Sequence, residues 1–321
     1  MLEEGQFYPR KTMKADERLW WYSRYFDTVE VNSSFYAPLA PHYAVQWAKR
    51  TPPEFLFNVK AYALLTGHHL DALRIPPELR AMVPADARPN PRGQIENRVF
   101  GEEARAWAFE SFRAALFPLQ DARKLGYVLF QFAPWVKYGD EAMRDLEQLP
   151  KRLPGTTIAV EFRDRSWIPE HTEEVLSHLA RHGIAYVSVD APPMAANVTP
   201  LMALTSPVAV LRLHGRNKQG YLRQLRGQQP TVAEKYDYLY SAEEIDELAD
   251  KVNGLRQHAK LVVVNFNNNK DDYPAINAMQ MKAKLSKWTP PNRDELLTAL
   301  RQRRRAARPT TPSLFGDIDQ E

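Results

Sequence analysis

The chain has no cysteine among its 321 residues. This absence excludes disulfides, thiolate nucleophiles and cysteine-ligated zinc or iron–sulfur clusters. No stretch approaches the roughly 20 apolar residues that a membrane-spanning helix needs, so we expect no membrane partner. The first residues, MLEEGQFYPRK, lack the cationic start and apolar run of a secretory signal. Together these absences favour the reducing cytoplasm as the compartment.

Several catalytic signatures are also missing from the sequence. There is no phosphate-binding P-loop, no dinucleotide-binding glycine fingerprint, no zinc-protease helix motif and no serine nucleophile elbow. Charge is informative only in its distribution: the formal net charge is +4, and residues 301–321 contribute half of it. A nearly neutral body with a basic tail is compatible with a nucleic-acid partner without requiring one.

Seven short apolar runs have the composition of β-strands, with polar residues at or near their carboxyl ends. The runs are FDTVEVNSSFY, FLFNVKAY, GYVLFQFAP, TIAVEFRD, AYVSVD, VAVLRLHG and LVVVNFNNN. Burying each polar end without a partner would cost several kcal/mol, so we expect these side chains to converge on one hydrated pocket. Period-two alternation puts the members of these pairs on shared faces: Glu30 and Asn32, Asn58 and Lys60, Glu161 and Arg163, Ser188 and Asp190, Arg212 and His214.

Segments with helical periodicity separate the strands. Pro41 and Pro169 suit first helical turns, while Ser241 and Asn292 each begin a capping-box pattern. Alternating strands and helices predict an α/β fold, and this number of strands favours a TIM-like (β/α) barrel that binds ligands at the strand carboxyl ends. A doubly wound open sheet is the alternative, but it gathers its ligand groups near one switch point.

We predict one barrel domain over residues 1–300, with an irregular insertion at 67–101 after the second visible strand. Residues 215–240 are a candidate mobile cover. We predict that residues 301–321 form a basic, disordered tail. Its Leu314-Phe315 pair partly resembles peptides that dock on the bacterial sliding clamp, and a plain solubilising tail is the alternative.

The segment FDTVEVNSSFYAPLAPHYAVQWAKRTPPEFLFNVKAY, followed by VEFRDRSW, LRLHGRN and VVVNFNNNKDDYPAINAMQM, resembles the YecE-like family (domain of unknown function 72). The similarity runs in order over most of residues 7–286. It implies a β/α barrel related in shape to endonuclease IV and xylose isomerase, without an established activity. The positions that carry over are Glu30, Asn32, Lys60, Gln131, Glu161, Arg163, Arg212, His214, Arg216 and Asn267.

Two features depart from the family pattern. The family places a glycine-rich strand ahead of the motif that stands here as Phe7-Tyr8-Pro9, and only six residues precede Phe7. Either the first strand is truncated or missing, or the true start of the chain lies upstream, and both alternatives affect barrel closure and one side of the pocket. The insertion at 67–101 is also longer than in the simplest members.

The candidate catalytic residues are Glu30, Glu161, His214 and Asp190. Two carboxylates on a barrel rim can serve as an acid–base pair, as in glycoside hydrolysis, and a histidine at a strand end can move protons near neutral pH. The alternative is that each carboxylate is neutralised in a structural ion-pair network, because buried charges usually require partners.

The candidate ligand-binding residues are mostly cations and amides: Asn32, Lys60, Gln131, Arg163, Arg212, Arg216, Asn265 and Asn267. Arginine forks bind phosphate bidentately, so several at one mouth predict a phosphorylated ligand unless they only pair with the acids. Alternation puts Arg212, His214 and Arg216 on one side of their strand. The asparagines either bind a ligand edge or serve turn and cap chemistry.

A divalent metal is a further candidate. His68 or His69 could combine with His214, Glu161 and Asp190, since histidines and carboxylates are the usual ligands of hydrolytic zinc or manganese. His171, His178 and His182 form a stripe on one helix, which we interpret as a solvated outer face. Aromatic stacking on a ligand is a candidate role for Trp20, Trp21, Tyr22 and the YDYLY segment, with core packing as the alternative.

Three functional hypotheses follow. The first is a barrel protein that binds a phosphate-bearing ligand, with nucleic acid the leading candidate and phosphodiester hydrolysis as a potential activity. The second is a sugar or sugar-phosphate enzyme that uses the Glu30–Glu161 pair. The third is a non-catalytic adaptor whose tail contacts a partner.

Overall fold

The computed structural model of the chain describes residues 7–10, 12–192, 200–225, 234 and 236–306. Its main element is a seven-stranded parallel sheet in the order β1-β2-β5-β6-β7-β8-β9, which curves into a nearly closed barrel. The strands are β1 (Thr28–Val31), β2 (Leu56–Lys60), β5 (Leu125–Gln131), β6 (Ile158–Glu161), β7 (Ala185–Asp190), β8 (Val208–Leu213) and β9 (Leu261–Phe266). A short antiparallel ribbon adds β3 (Leu70–Asp71) and β4 (Gln94–Ile95). The sequential order confirms the TIM-like barrel and excludes a doubly wound sheet, whose order reverses at a switch point.

Helices cover the outside of the barrel. They are α1 (Ala15–Tyr22), α2 (Ser33–Tyr36), α3 (Pro41–Arg50), α4 (Pro77–Ala81), α5 (Glu102–Asp121), α6 (Asp140–Arg152), α7 (Thr172–Arg181), α8 (Lys218–Leu225), α9 (Ala242–Arg256), α10 (Tyr273–Leu285) and α11 (Arg293–Ala306). Single turns of 3₁₀-helix lie at Ala63–Thr66 and Asn97–Val99. No helix within the described ranges is long and apolar enough to cross a membrane.

Most helix starts follow the sequence signals. Pro41 opens α3, and Ser241 accepts a hydrogen bond from the Glu244 amide in the capping box that begins α9. Pro169 does not open α7, which begins at Thr172; the proline lies in the preceding turns, where the Glu170 amide donates to the Arg165 carbonyl.

Apolar side chains divide into an inner and an outer core. On β7, Val187 packs inside the barrel with Tyr127 of β5, whereas Tyr186 packs in the outer core between sheet and helices. The same alternation places Val29 and Val59 in the outer core. Glu30 and Lys60 therefore have the inward-facing positions of β1 and β2, since side chains alternate along a strand.

The barrel has an opening between β1 and β9, the two strands at the ends of the strand order. A cavity of about 860 Å³ lies there, lined by residues of both strands and of α10. Within the described residues no strand fills this position.

The insertion and the first six residues of the predicted tail contain regular structure that the sequence pattern did not predict. Residues 67–101 contain the β3–β4 ribbon and α4, and they bury Leu79 and Phe100 in the outer core. The last helix continues past residue 300 to Ala306, and Arg304 pairs with Glu17. The predicted docking pair Leu314 and Phe315 lies outside the described residues, as do residues 226–233 and 235 of the predicted mobile cover at 215–240.

Candidate functional site

The carboxyl ends of the strands present a ring of inward-facing polar residues. Successive strands contribute Glu30, Lys60, Gln131, Glu161, Arg212 and Asn265 to it. Gln131 is in register with Glu161, and Arg212 is in register with Asn265. The parallel strands thus bring together residues that are far apart in sequence, as the convergence argument predicted.

Arg212 is the centre of this ring. Its guanidinium is 1% exposed and makes two hydrogen bonds to Glu30, from Nε to Oε2 at 3.0 Å and from the second terminal nitrogen to Oε1 at 2.6 Å. The other terminal nitrogen donates to Glu161 Oε2. Burial alone would lower the pKa of Arg212, but the two carboxylates raise it. The two predicted acids are therefore joined through one shared cation.

Glu161 is fully buried and has four polar neighbours in the ring. In addition to Arg212, Gln131 Nε2 donates to Glu161 Oε1 at 3.0 Å, and Arg163 contacts the same oxygen at 2.5 Å. Burial alone would raise the pKa of Glu161, but Arg163, Arg212 and His214 hold it well below its ordinary value. Glu161 is consequently an ionised hydrogen-bond acceptor at neutral pH and not a proton donor.

His214 is also buried, with 1% of its side chain exposed. Its Nε2 lies 3.3 Å from a terminal nitrogen of Arg163 and 3.4 Å from Glu161 Oε1, so this nitrogen either accepts from the guanidinium or donates to the carboxylate, depending on the tautomer. Burial, reinforced by Arg163, lowers the pKa of His214 to about 4. The imidazole is therefore neutral at physiological pH. The Asn267 side-chain amide lies 3.4 Å from Nδ1 and fixes the ring from its other side.

Lys60 differs from the other cations because it has no carboxylate partner within 4 Å among the described residues. Its Nζ donates to Gln131 Oε1 at 2.8 Å and lies 4.1 Å from the centre of the Phe35 ring. Burial, together with the nearby guanidinium of Arg212, lowers the pKa of Lys60 to about 8. Three cations (Lys60, Arg163 and Arg212) thus face two carboxylates, and one positive charge is left uncompensated.

Arg163 supplies a hydrogen-bond donor that lacks an acceptor. Its side chain is 23% exposed, and its Nε is buried without a hydrogen-bond partner among the described residues. A buried donor without a partner costs about 1–3 kcal/mol. A bound anion would satisfy this donor and offset the surplus charge of Lys60 together.

Asp190 and Arg216 belong to a separate, outer network. Arg216 binds Asp190 through Nε and a terminal nitrogen at 2.9–3.1 Å and also contacts Glu244, while the Tyr240 hydroxyl donates to Asp190 at 2.7 Å. Asp190 has the same parity as Tyr186, which packs in the outer core, so its strand position faces the helices. The contacts therefore place Asp190 outside the inner group of acids and bases in which the sequence analysis predicted it.

Gly215 explains why Arg216 leaves the inner ring. Its φ of +85° is left-handed, and a Cβ there would lie 2.6 Å from Tyr238 Cβ. Strand β8 ends at Leu213, so the period-two alternation does not continue through this turn. The prediction that Arg212, His214 and Arg216 share one side is therefore wrong for Arg216.

An aromatic ridge borders the ring on the side of β1, β2 and β5. It consists of Phe35, Tyr36, His68, His69 and Trp135. The Phe35 ring lies 4.9 Å from His68, and His69 stacks on Trp135 at 4.6 Å. Tyr36 is 58% exposed and Trp135 51% exposed, while burial and Lys60 lower the pKa of His68 to about 3.

Most of the aromatics singled out in the sequence lie elsewhere, but the ring centre of Tyr236 lies 5.9 Å from that of His214. Trp20 and Trp21 are buried in a cluster between α1, α10 and α11, with Tyr22 packed against it. Tyr238 and Tyr240 support the outer network. Sequence reasoning also missed Tyr127, whose hydroxyl donates to Glu30 and accepts from Asn265 at 2.6 Å. The alternation of Tyr127, Leu129 and Gln131 along β5 was the signal that could have found it.

The amides and the proposed metal ligands are divided among different places. Asn32 is exposed at the start of α2, where it makes no capping bond, and it lines the opening between β1 and β9. Asn265 and Asn267 join the ring as described. Within the described part of the chain, the candidate ligands His68, His69, His214, Glu161 and Asp190 do not supply three donor atoms close enough to share one ion.

Comparison with known proteins places this architecture in a family. A family model described as "Protein of unknown function DUF72" matches residues 2–298. The chain belongs to the DUF72 family. It is 32% identical over 282 residues to the UPF0759 protein YunF of Bacillus subtilis (strain 168), covering 87% of this chain and 90% of that protein.

Solved DUF72 structures agree with the fold. The crystal structure of a DUF72 family protein from Thermotoga maritima MSB8 superposes with a TM-score of 0.67 at 28% identity, covering 88% of this chain and 94% of that one. A DUF72 family protein from Enterococcus faecalis V583 gives a TM-score of 0.72 at 24% identity, covering 89% and 93%.

Proposed function

We propose that this DUF72 protein binds a phosphate-bearing ligand at the carboxyl ends of its strands, and that the ligand is single-stranded nucleic acid. The observation that carries the proposal is the uncompensated positive charge of the ring. Lys60 has no carboxylate partner among the described residues, and Arg163 keeps a buried donor without an acceptor. A phosphate oxygen supplies both the missing charge and the missing acceptor.

The aromatic ridge favours a nucleic acid over a small phosphate ester. Single-stranded nucleic acids are bound by a cationic groove together with aromatic side chains on which bases stack. Here Lys60 Nζ contacts the face of Phe35, so ridge and cation are continuous. A phosphate bound at Lys60 and Arg163 places the adjoining nucleoside within reach of Tyr36 and Trp135, the exposed members of the ridge.

Binding has more support from the geometry than hydrolysis does. Glu30 and Glu161 both accept hydrogen bonds from Arg212, and His214 is neutral at physiological pH. A general acid or base needs a pKa near the working pH, and Glu161 and His214 are both shifted away from it. The hydrolase, sugar-enzyme and adaptor hypotheses remain predictions that no contact in this site favours.

The test is the binding of a fluorescently labelled single-stranded oligonucleotide, followed by anisotropy at low salt with the full chain. We expect Lys60→Ala and Arg163→Ala each to weaken binding and to lower the slope of log affinity against log salt by about 0.7, the value for one lost phosphate contact on a single strand. Trp135→Ala should cost about 1–3 kcal/mol, the usual contribution of one stacked base.

Matched controls separate the pocket from general charge and aromatic effects. Lys49→Ala removes the same charge from the exposed face of α3, and Phe117→Ala removes a ring that is 63% exposed on α5. Both should bind as the wild type does. Equal losses in the controls and the pocket variants, or no binding of the wild type at low salt, would contradict the proposal.

A further inference from the structure

A second cluster of chemically active side chains lies on the outside of the barrel, between α6 and α7. It consists of Glu147 on α6, His178 on α7 and His182 directly after α7. The two histidines are four residues apart, so they lie on one helix face, with ring centres 4.6 Å apart. Among the described residues, only this trio brings three such donor atoms, one from each side chain, within 4.8 Å of one another.

The state of His178 fits a metal ligand independently of that grouping. Its Nε2 is buried and has no hydrogen-bond partner among the described residues. The Met143 backbone forms a hydrogen bond with the ring, which is the support that a ligating histidine usually receives through its other nitrogen.

Glu147 has a comparable arrangement. Gln148 Nε2 donates to Glu147 Oε1 at 3.0 Å, and the other oxygen, Oε2, lies 3.9 Å from His182 Nε2. Bonds of about 2.0–2.2 Å to a tetrahedral zinc ion put ligand atoms roughly 3.3 Å apart. Small rotations of these half-exposed side chains would close the present separations to that value.

We propose that Glu147, His178 and His182 bind a divalent transition-metal ion, with Zn²⁺ the ion that their two imidazoles and one carboxylate best suit. The ion would join α6 to α7. Three protein ligands leave a fourth position for water or an external group, and His178 also lines a surface groove of about 740 Å³ beside Pro169 and Arg181. This site is separate from the strand-end ring and does not depend on the function proposed for it.

The experiment is a Zn²⁺ titration of the tag-free full chain in competition with a chromophoric chelator. We expect one tight zinc equivalent per chain. His178→Ala and His182→Ala should each weaken it by about tenfold or more, since loss of even an outer-shell partner of a ligand costs that much. Substitution by Co²⁺ should give the intense visible absorption of a tetrahedral site, and this absorption should disappear in the same variants.

His42→Ala and His258→Ala are the matched controls, because both remove an exposed histidine from another part of the surface. They should retain wild-type affinity. Thermal unfolding without metal shows whether the His178→Ala and His182→Ala variants fold. Three results would overturn the proposal: no tight zinc equivalent, unchanged affinity in a folded His178→Ala/His182→Ala protein, or loss of the zinc only in His214→Ala, which would locate it at the barrel mouth.

Discussion

Replacing Arg212 with methionine should destabilise the protein by about 3–5 kcal/mol at neutral pH, the usual cost of removing one partner from a buried ion pair. Glu30 and Glu161 are 5% and 0% exposed, and both depend on this guanidinium. Glu161 would keep Arg163, but Glu30 would keep only the longer hydrogen bond from Tyr127, at 3.3 Å. Most of the loss should therefore come from Glu30.

The pH dependence gives a second check on the same variant. The folded-state pKa of Glu161 lies well below its ordinary value, so the carboxylate stabilises the wild type above the unfolded-state pKa and loses this contribution as the pH falls. In Arg212→Met the carboxylates are protonated more easily in the folded state. The difference in free energy of unfolding between the two proteins should therefore shrink on acidification. Urea unfolding followed by tryptophan fluorescence measures it directly.

Lys60→Met is the control, because it removes one positive charge from the same ring without stranding a carboxylate. We expect a small loss or a gain at neutral pH. The pKa of Lys60 is lowered from 10.5 to about 8, so wild-type stability should rise with pH between these values, while the unfolded chain binds a proton that the folded chain has lost. That rise should be absent in Lys60→Met. If Arg212→Met loses no more stability than Lys60→Met, the account of Arg212 as the shared cation is wrong.

Three further predictions test other parts of the structure. Oligonucleotide affinity should fall as the pH rises above about 8, where Lys60 loses its proton, and Lys60→Arg should retain its affinity in a titration of binding against pH. In urea unfolding, Gly183→Ala should lower the free energy of unfolding by about 1–2 kcal/mol, because Gly183 has a left-handed backbone. Gly215→Ala should cost more, because its Cβ would also collide with Tyr238. Equal losses would contradict the steric argument. Asn277→Ala should cost at least about 2 kcal/mol by the same measurement, because its amide satisfies both buried backbone groups of Tyr240, and a loss below that would show that these groups find other partners.

The strand pattern was sufficient to predict the barrel and most of its polar ring. Period-two alternation shows which side chains share a face of a strand, but the location of one side chain must be known before that face can be called inward. This condition held for the strands that carry Glu30, Lys60 and Glu161. It failed for Asp190, because the first four residues of β7 are buried on both faces and the sequence does not show which face is the inner one. The turn at Gly215 misled the prediction for Arg216 for a related reason, since alternation applies only to extended backbone.

Contacts between distant side chains could not be predicted in the same way. The sequence offered Lys60 or Arg163 as partners of the glutamates, but the structure gives Glu30 to Arg212, 182 residues away. Which cation pairs with which acid depends on the positions of the strands around the barrel. These positions are set by the closure of the barrel and not by the local sequence pattern. The ridge residues Tyr36 and Trp135 were overlooked for the same reason, because Tyr36 ends α2 and Trp135 lies in a distant loop, and neither carries a signal alone.

Strand β1 is an edge of the sheet, and among the described residues its backbone pairs only with β2. Across the opening, the Glu30–Arg212 contact holds it against the rest of the barrel. An outward displacement of β1 would withdraw the Glu30 carboxylate from the ring. The uncompensated positive charge of the ring would then rise from one to two. A phosphate bound at Lys60 and Arg163, as proposed above, would favour the more positive ring and with it the displaced strand. Because such coupling is reciprocal in free energy, ligand affinity and the position of this strand have to change together.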